Sequence, residues 1–596
     1  MVVNHALATR GKISWERLRL LGSVRLSALL HLAQMPHKPG RQLASASPMR
    51  SATPLPSSAH SPTGLSGSRA AFPDTIGTGP AGLGPDALVI LIIALAFAVH
   101  AVVGTVVGFS IDESYDVVMS RQLALSYHDH PPAIMWLIAA AAKLFGSESH
   151  LIVRLPTLIL STAQAWLLYR LTSLLFDKWS GVFAVIALCV SPLFGLFLGA
   201  VAITDGPLIF SLTAAGYFIA RALFAKDRAH WADWPIAGLF FGFALLSKFS
   251  AILLLPGLVI FLLTEPRHRR LFFTPGPYVA AVLALAVFTP VIVWNFENGF
   301  DAFVFQGSRA ALGEQVYLAR ALAHTGLLVA IMGPAIWFIQ IVALAGALRA
   351  GPGDERRWFF AMLAIVPIGF FLTLDVFGTR GDVAPHWLAP AYLFTFPLVG
   401  AAAVRWRARF PRLVWWTTAS CVVATSAIAL VLVSHTMTGW LQAFVPAITA
   451  KYDPLVADDA DWWSLRAALE QKNFLDSKHF LLVGKYYFCF KAQLVLKDSI
   501  PVVCLDDKNP IALSLWRDEA ALHGRDAVII ASWWYAPQPL AAIEKKFERV
   551  EDLPPVSIMD HGRPVMRIEL KLGHNLQGPI FESAAQDPPV YAKLYP

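Results

Sequence analysis

The sequence predicts a polytopic α-helical membrane protein that carries a C-terminal soluble α/β domain. Three observations lead there. Hydrophobic residues make up 56% of the 596 residues and charged residues only 15%, against roughly 25% charged in a soluble domain. The mean hydropathy is +0.55. The apolar residues fall in runs near the roughly 20 needed to cross a bilayer, and after Val433 that pattern stops. These figures exclude a soluble globular enzyme and a disordered protein. Four cysteines exclude a disulfide scaffold. The net charge of +8 sits in short loops between apolar runs, where it signals topology and not nucleic-acid binding.

Residues 1–84 form a separate region with nine Lys/Arg and two acids before Asp86. This is too skewed and too poor in apolar content to fold alone. Ile13 to Gln34 has the pattern of a basic amphipathic helix on a membrane surface, but a disordered basic tail suits the composition better. No apolar run followed by small residues appears here, so no cleavable signal peptide is expected.

Residues 85–435 hold the expected spans. Apolar segments run Ala87–Phe109, Leu151–Phe176, Gly181–Ala200, Pro207–Phe224, Pro235–Leu246 and Ala251–Leu263. They continue Tyr278–Trp294, Ala321–Leu348, Trp358–Leu374, Trp387–Val404 and Leu413–Val433. The expectation is about 11 to 13 spans. With the N-terminus taken as cytoplasmic, alternate turns hold Lys178; Lys226 and Arg228; and Arg267, Arg269 and Arg270. The next two hold Arg349, Arg356 and Arg357, then Arg405, Arg407, Arg409 and Arg412. The opposite loops hold fewer cations, mainly Arg121, Lys143, Arg309, Arg320 and Arg380. The positive-inside rule therefore places Asp112–His150, Thr204–Asp205, Asn295–Arg320 and Asp375–His386 outside.

Residues 436–596 are expected outside as well, as an α/β domain. Phe480–Val483, Val502–Leu505 and Ala527–Ala531 read as strands, Tyr486–Leu496 and Ala541–Phe547 as helices. Val556–Leu572 reads as a hairpin turning at His561 and Gly562. No glycine-rich phosphate loop is present. Cys489 on the helix and Cys504 on the following strand are within reach of a disulfide in an oxidising compartment. Cys189 and Cys421 lie in spans as packing residues.

The polar residues that can carry chemistry lie in the outer loops, with residues 110–150 the richest. Asp112 and Glu113 form an acidic pair at the end of the first span. Carboxylates at a membrane boundary are costly unless paired or used, though a solvated helix end is the plainer reading. Met119–Leu125 is expected as an amphipathic interfacial helix. His128, Asp129 and His130 precede a rigid Pro131–Pro132 turn and are potential metal or phosphate contacts. Asp205 precedes Pro207 at a span start, where capping alone would explain it. Lys248 lies between two short spans, where it would snorkel or bind a phosphate headgroup. Arg380, Asp382 and His386 gather before Trp387.

Asp112-Glu113-Ser114-Tyr115 and Tyr127-His128-Asp129-His130-Pro131-Pro132 resemble the first-loop signature of bacterial glycosyltransferase family 39-like proteins, of the C-type membrane fold. That group is similar to protein O-mannosyltransferases, lipid A aminoarabinose transferases and rhizobial galacturonosyltransferases. Thr204-Asp205-Gly206-Pro207-Leu208, Leu246-Ser247-Lys248-Phe249-Ser250, Pro290-Val291-Ile292-Val293-Trp294-Asn295 and His386-Trp387-Leu388-Ala389-Pro390 match in the same order. One departure is Asp116, which stands after Tyr115 where the family often has a second aromatic. It leaves open which carboxylate faces the acceptor.

The resemblance implies inverting transfer of a sugar from a polyprenyl-phosphate donor to a lipid, glycan or protein acceptor at the outer face of a bacterial inner membrane. Asp112 and Glu113 would be the catalytic pair, Asp112 as base or orienting group and Glu113 as its support. Lys248, Arg380, His130 and His386 would meet the donor phosphate. Tyr115, Arg121 and Asp205 would contact substrate, and Asp129 with His128 would hold a divalent metal ion if one is used. The competing reading is a flippase or transporter of lipid-linked sugars. Transporters show related halves with broken helices at matching positions, and no such internal repeat is visible here.

Overall fold

The computed structural model describes residues 82–225, 231–379, 384–445, 447–449, 452–453, 455–484, 486–504, 520–531 and 543–580. The basic N-terminal region up to residue 81, Lys226, Arg228, Arg380 and Asp382 lie outside the described residues.

The membrane part opens with α1 (Pro85–Val106), the interfacial helix α2 (Ile111–Ser120) and α3 (Ala133–Phe145). The long α4 (His150–Leu175), α5 (Lys178–Cys189), α6 (Asp205–Phe224), α7 (Asp233–Ser247) and α8 (Leu254–Thr264) follow. Then come α9 (Pro275–Glu297), α10 (Asp301–Arg309), α11 (Leu318–Met332), α12 (Pro334–Ala350) and α13 (Glu355–Phe377). A short helical turn at Ala389–Leu393 leads into α14 (Phe396–Arg409) and α15 (Pro411–Thr438). Among the described residues, 7 helices are long and apolar enough to cross a membrane, or up to 9 if each of two bent pairs is one span. The expected 11 to 13 included shorter runs.

The breaks have local causes. Gly181–Ala200 was expected as one span; it bends by 79° between Cys189 and Leu193, just before Pro192, whose ring cannot sit inside a helix without a kink. Trp387–Val404 is likewise a pair bent by 60°. Ala321–Leu348 divides into α11 and α12 at Gly333, with φ +86° ahead of Pro334. Lys248, between α7 and α8, is extended, with φ −158° and ψ 136°.

Met119–Leu125 is not the helix expected. The helix starts earlier, at Ile111, because Ser110 and Glu113 form a reciprocal capping box, which satisfies two N-terminal donors at once. It ends at Ser120, and the segment beyond is irregular.

The C-terminal domain contains α16 (Trp463–Gln471), β1 (His479–Val483), α17 (Tyr486–Leu496), β2 (Val502–Cys504), β3 (Asp526–Ile530), β4 (Phe547–Asp560) and β5 (Arg563–Leu576). Its sheet order is β2-β1-β3-β5-β4. β1 pairs in parallel with β2 and β3, whereas β5 is antiparallel to β3 and β4. The β4–β5 turn falls at His561 and Gly562, both with positive φ, the backbone a two-residue hairpin of matching twist requires. Of the helix expected over Ala541–Phe547, residues 541 and 542 lie outside the described residues, Ile543 and Glu544 are helical, and β4 begins at Phe547. Cys489 and Cys504 form a disulfide with Cα atoms 6.0 Å apart.

This domain packs on α2. The Phe490 ring meets Tyr115 edge-on at 4.7 Å, and the buried Lys491 donates to the carbonyls of Phe109 and Ala460. Asp461 pairs with His150 at 2.8 Å. At the end of α15, buried His435 and Arg563 each lie 3.0 Å from Asp453. The α/β domain and the acidic loop therefore share one face of the molecule.

Candidate active site

The site forms where α2, the 127–132 turn, the starts of α6 and α10, the Lys248 elbow and the His386 turn converge. Its first feature is the division of labour between adjacent acids. Glu113 is fully buried and accepts hydrogen bonds from Arg154 Nε at 2.7 Å and Nη2 at 2.6 Å, Ala202 N at 2.8 Å and Ser110 N at 2.9 Å. Burial pushes its pKa up, but the Arg154 guanidinium and these bonds win, and the carboxylate is held below its ordinary value. Its acceptor capacity is spent on the fold. Glu113 thus ties α2 to Arg154 and to the Ala202 backbone.

Asp112 is the opposite case: its side chain remains open to solvent. Desolvation by the surrounding protein pushes its pKa up, against the pull of His386 and Lys248 and with the push of Asp205 and Asp129. Asp116, one turn further along α2, is 2% exposed with Oδ1 unpartnered. Burial, then the charge of Asp112, push its pKa well up. Of the three acids on α2, Asp112 is the one presented to accessible space.

Beside it is a cavity of about 280 Å³ lined by Lys248, Arg309, His130, Gln306 and Trp387, with Phe249, Ile252, Leu253, Phe370 and Phe371 along its apolar side. Lys248 Nζ lies 2.7 Å from Asp205 Oδ2 and 5.9 Å from the centre of the Trp387 ring. Arg309 stacks over the same ring at 4.4 Å. Cations over an indole face are held by its quadrupole. Burial depresses the His130 pKa, partly offset by Asp129.

The remaining expected residues have other partners. Tyr115 donates to Asp129 Oδ1 at 2.5 Å, fixing the 127–132 turn. Arg121 chelates Glu148 at 2.9 and 3.0 Å and donates to the carbonyls of Gln493 and Leu494. It bridges to the α/β domain and does not face the cavity. His128 turns to Asp301 Oδ2 at 2.5 Å, and Gln306 donates to the Asp129 carbonyl at 2.6 Å. These two contacts dock α10, which carries Arg309. Asp129 and His128 therefore face different partners. Among the described residues no group of three or more His, Cys, Asp or Glu is placed to hold a metal ion. His386 acts electrostatically on Asp112 and lies near Phe197, with ring centres 6.1 Å apart; Arg380 is outside the described residues.

Sequence reasoning did not single out Arg154, Gln306 or Arg309 for the site. Arg154 had a signal, since an arginine inside an apolar span needs a partner. Arg309 had only its outer-loop position.

The protein-family profile described as dolichyl-phosphate-mannose-protein mannosyltransferase matches residues 129–294. The lipid A galacturonosyltransferase RgtD of Rhizobium johnstonii is 27% identical over 315 residues, covering 51% of this chain and 63% of that protein. The undecaprenyl phosphate-alpha-4-amino-4-deoxy-L-arabinose arabinosyl transferase of Pseudomonas aeruginosa is 26% identical over 309 residues, covering 49% and 52%. The chain thus spans less than two thirds of the length of these relatives. Among solved structures, ArnT from Cupriavidus metallidurans bound to undecaprenyl phosphate aligns with a TM-score of 0.56 at 16% identity, over 82% of this chain and 98% of that one. The fold is that of the C-type membrane glycosyltransferases.

Proposed function

We propose that this protein is an inverting glycosyltransferase that moves a sugar from a polyprenyl-phosphate donor to an envelope glycolipid at the outer face of the membrane. The observation that carries the reading is the pairing of an accessible carboxylate, Asp112, with a neighbouring cavity that has two cations at one wall and an apolar surface at the other. A polyprenyl phosphate has that same division. Its phosphate suits Lys248 and Arg309, and its chain suits the phenylalanine side.

The chemistry follows from charge. As the glycosidic C–O bond breaks, negative charge grows on the departing phosphate. Lys248 and Arg309 are already in place to stabilise it, with His130 and Gln306 as donors. Asp112 accepts the proton of an acceptor hydroxyl as its oxygen attacks the opposite face of the sugar. If the acceptor is a phosphate, no base is needed and Asp112 orients it. Tyr115, through Asp129, and Glu113, through Arg154, keep these groups in position.

The glycolipid acceptor is supported by a relative named for lipid A, and the polyprenyl-phosphate donor by one named for an undecaprenyl-phosphate sugar. The test is mass spectrometry of envelope glycolipids from strains with and without the chain. The expected result is a glycolipid lighter by one sugar residue in its absence. Identical glycolipid profiles would overturn the acceptor class.

A further inference from the structure

A second cavity shares no lining residue with the Lys248 cavity. It is a groove of about 590 Å³ between α5, α12, α14 and α15, within the roughly 300–1,000 Å³ typical of small-molecule sites. On α14 its wall is the stripe Val399, Ala403 and Trp406, continued by Phe410 at the turn; on α15 it includes Thr417 and Thr418. So apolar a lining fits hydrocarbon chains and not a sugar.

The groove reaches the α14–α15 turn. That turn carries Arg405, Arg409 and Arg412, all exposed. Nearby carboxylates are engaged elsewhere: Asp354 by Arg357 at 2.5 Å and Glu355 by Arg267 at 3.3 Å. Trp415 and Trp416, 61% and 62% exposed, follow directly, as aromatics do at headgroup depth. The far end of α15 is tied to the α/β domain, where Arg563 donates to the His435 and Thr436 carbonyls. The 28 residues of α15 span about 42 Å, so the arginine turn lies on the membrane face opposite the Lys248 cavity.

We propose that this groove is a binding site for one anionic phospholipid of that opposite leaflet, its acyl chains along the α14 stripe and its phosphate at Arg409 and Arg412. Guanidinium forks match phosphate oxygens, and an apolar slot ending in cations matches a lipid with a charged head. Positive-inside topology accounts for arginines at this face but not for Arg409 and Arg412 standing next in the chain to Phe410 and Leu413, which line the slot.

The test is thermal denaturation of the purified full chain in detergent, titrated with phosphatidylglycerol, phosphatidylcholine or undecaprenyl phosphate. Phosphatidylglycerol is expected to raise the melting temperature saturably, and phosphatidylcholine not. The double substitution R409Q/R412Q should weaken the phosphatidylglycerol response about 30-fold, and T418W, which fills the slot from a lining position further along α15, should abolish it. Equal responses to both phospholipids, no response, an unchanged response in both variants, or competition by undecaprenyl phosphate would each overturn the proposal.

Discussion

Lys248 Nζ lies 2.7 Å from the Asp205 carboxylate, and both side chains are largely withdrawn from solvent, at 12% and 2% exposure. The extended elbow between α7 and α8 delivers the ammonium to the start of α6. Removing one partner of such a pair strands a buried charge and costs about 3–5 kcal/mol. Lys248→Met should therefore lower thermal stability clearly. Adding Asp205→Asn should recover much of that loss, because no carboxylate is left unpaired. Donor binding should stay weak in the double variant. Recovery of both stability and donor affinity would remove Lys248 from phosphate recognition.

The Cys489–Cys504 disulfide closes a separation of 15 residues, a loop whose closure is worth about 3 kcal/mol on entropic grounds. Cys489→Ser should lower the stability of the α/β domain by roughly that amount, with the membrane helices retaining their circular dichroism. Thiol titration of unfolded wild-type protein without reductant should find Cys189 and Cys421 and not the other two.

The pH dependence of transfer follows from the raised pKa of Asp112. Desolvation by the surrounding protein is the main cause, opposed by His386 and Lys248. The active form is the carboxylate, so activity should fall as pH drops through that raised value. The midpoint should lie above the ordinary carboxylate value of about 3.9. A rate that is level down to pH 4 with a hydroxyl acceptor would show that Asp112 takes no proton.

Topology is open to direct labelling. Cysteine probes at Arg267–Leu271 should be shielded from an impermeant outside reagent, and probes at Phe300–Gly307 should react. The reverse pattern would place Asp112 in the cytoplasm and overturn the assignment of the site to the outer face.

The membrane fold and the sheet of the α/β domain were legible because hydrophobic runs and period-two patterning are local signals. The breaks at Pro192 and Gly333 were less so, since a continuous apolar run hides a bend that only packing rewards. At the site, Asp112, His130 and Lys248 stood out as charges in awkward places. The different fates of Asp112 and Glu113 rest on Arg154, 41 residues on from Glu113, which no local pattern reveals. The Ser110–Glu113 spacing is itself a capping-box signal, which the reading of Asp112 and Glu113 as an acidic pair did not use. Arg121 was misplaced for a related reason: its partners Glu148, Gln493 and Leu494 come from distant elements.

The most direct test of the central claim is sugar transfer by purified Asp112→Asn protein, with a polyprenyl-phosphate-linked sugar and an isolated glycolipid acceptor, followed by mass spectrometry. The substitution preserves size, and the Glu113–Arg154 support is untouched, so the protein should fold and still bind the donor. Transfer to a hydroxyl acceptor should fall by about 100-fold or more, the scale of lost general-base assistance. Wild-type transfer by a well-folded Asp112→Asn protein would contradict the account.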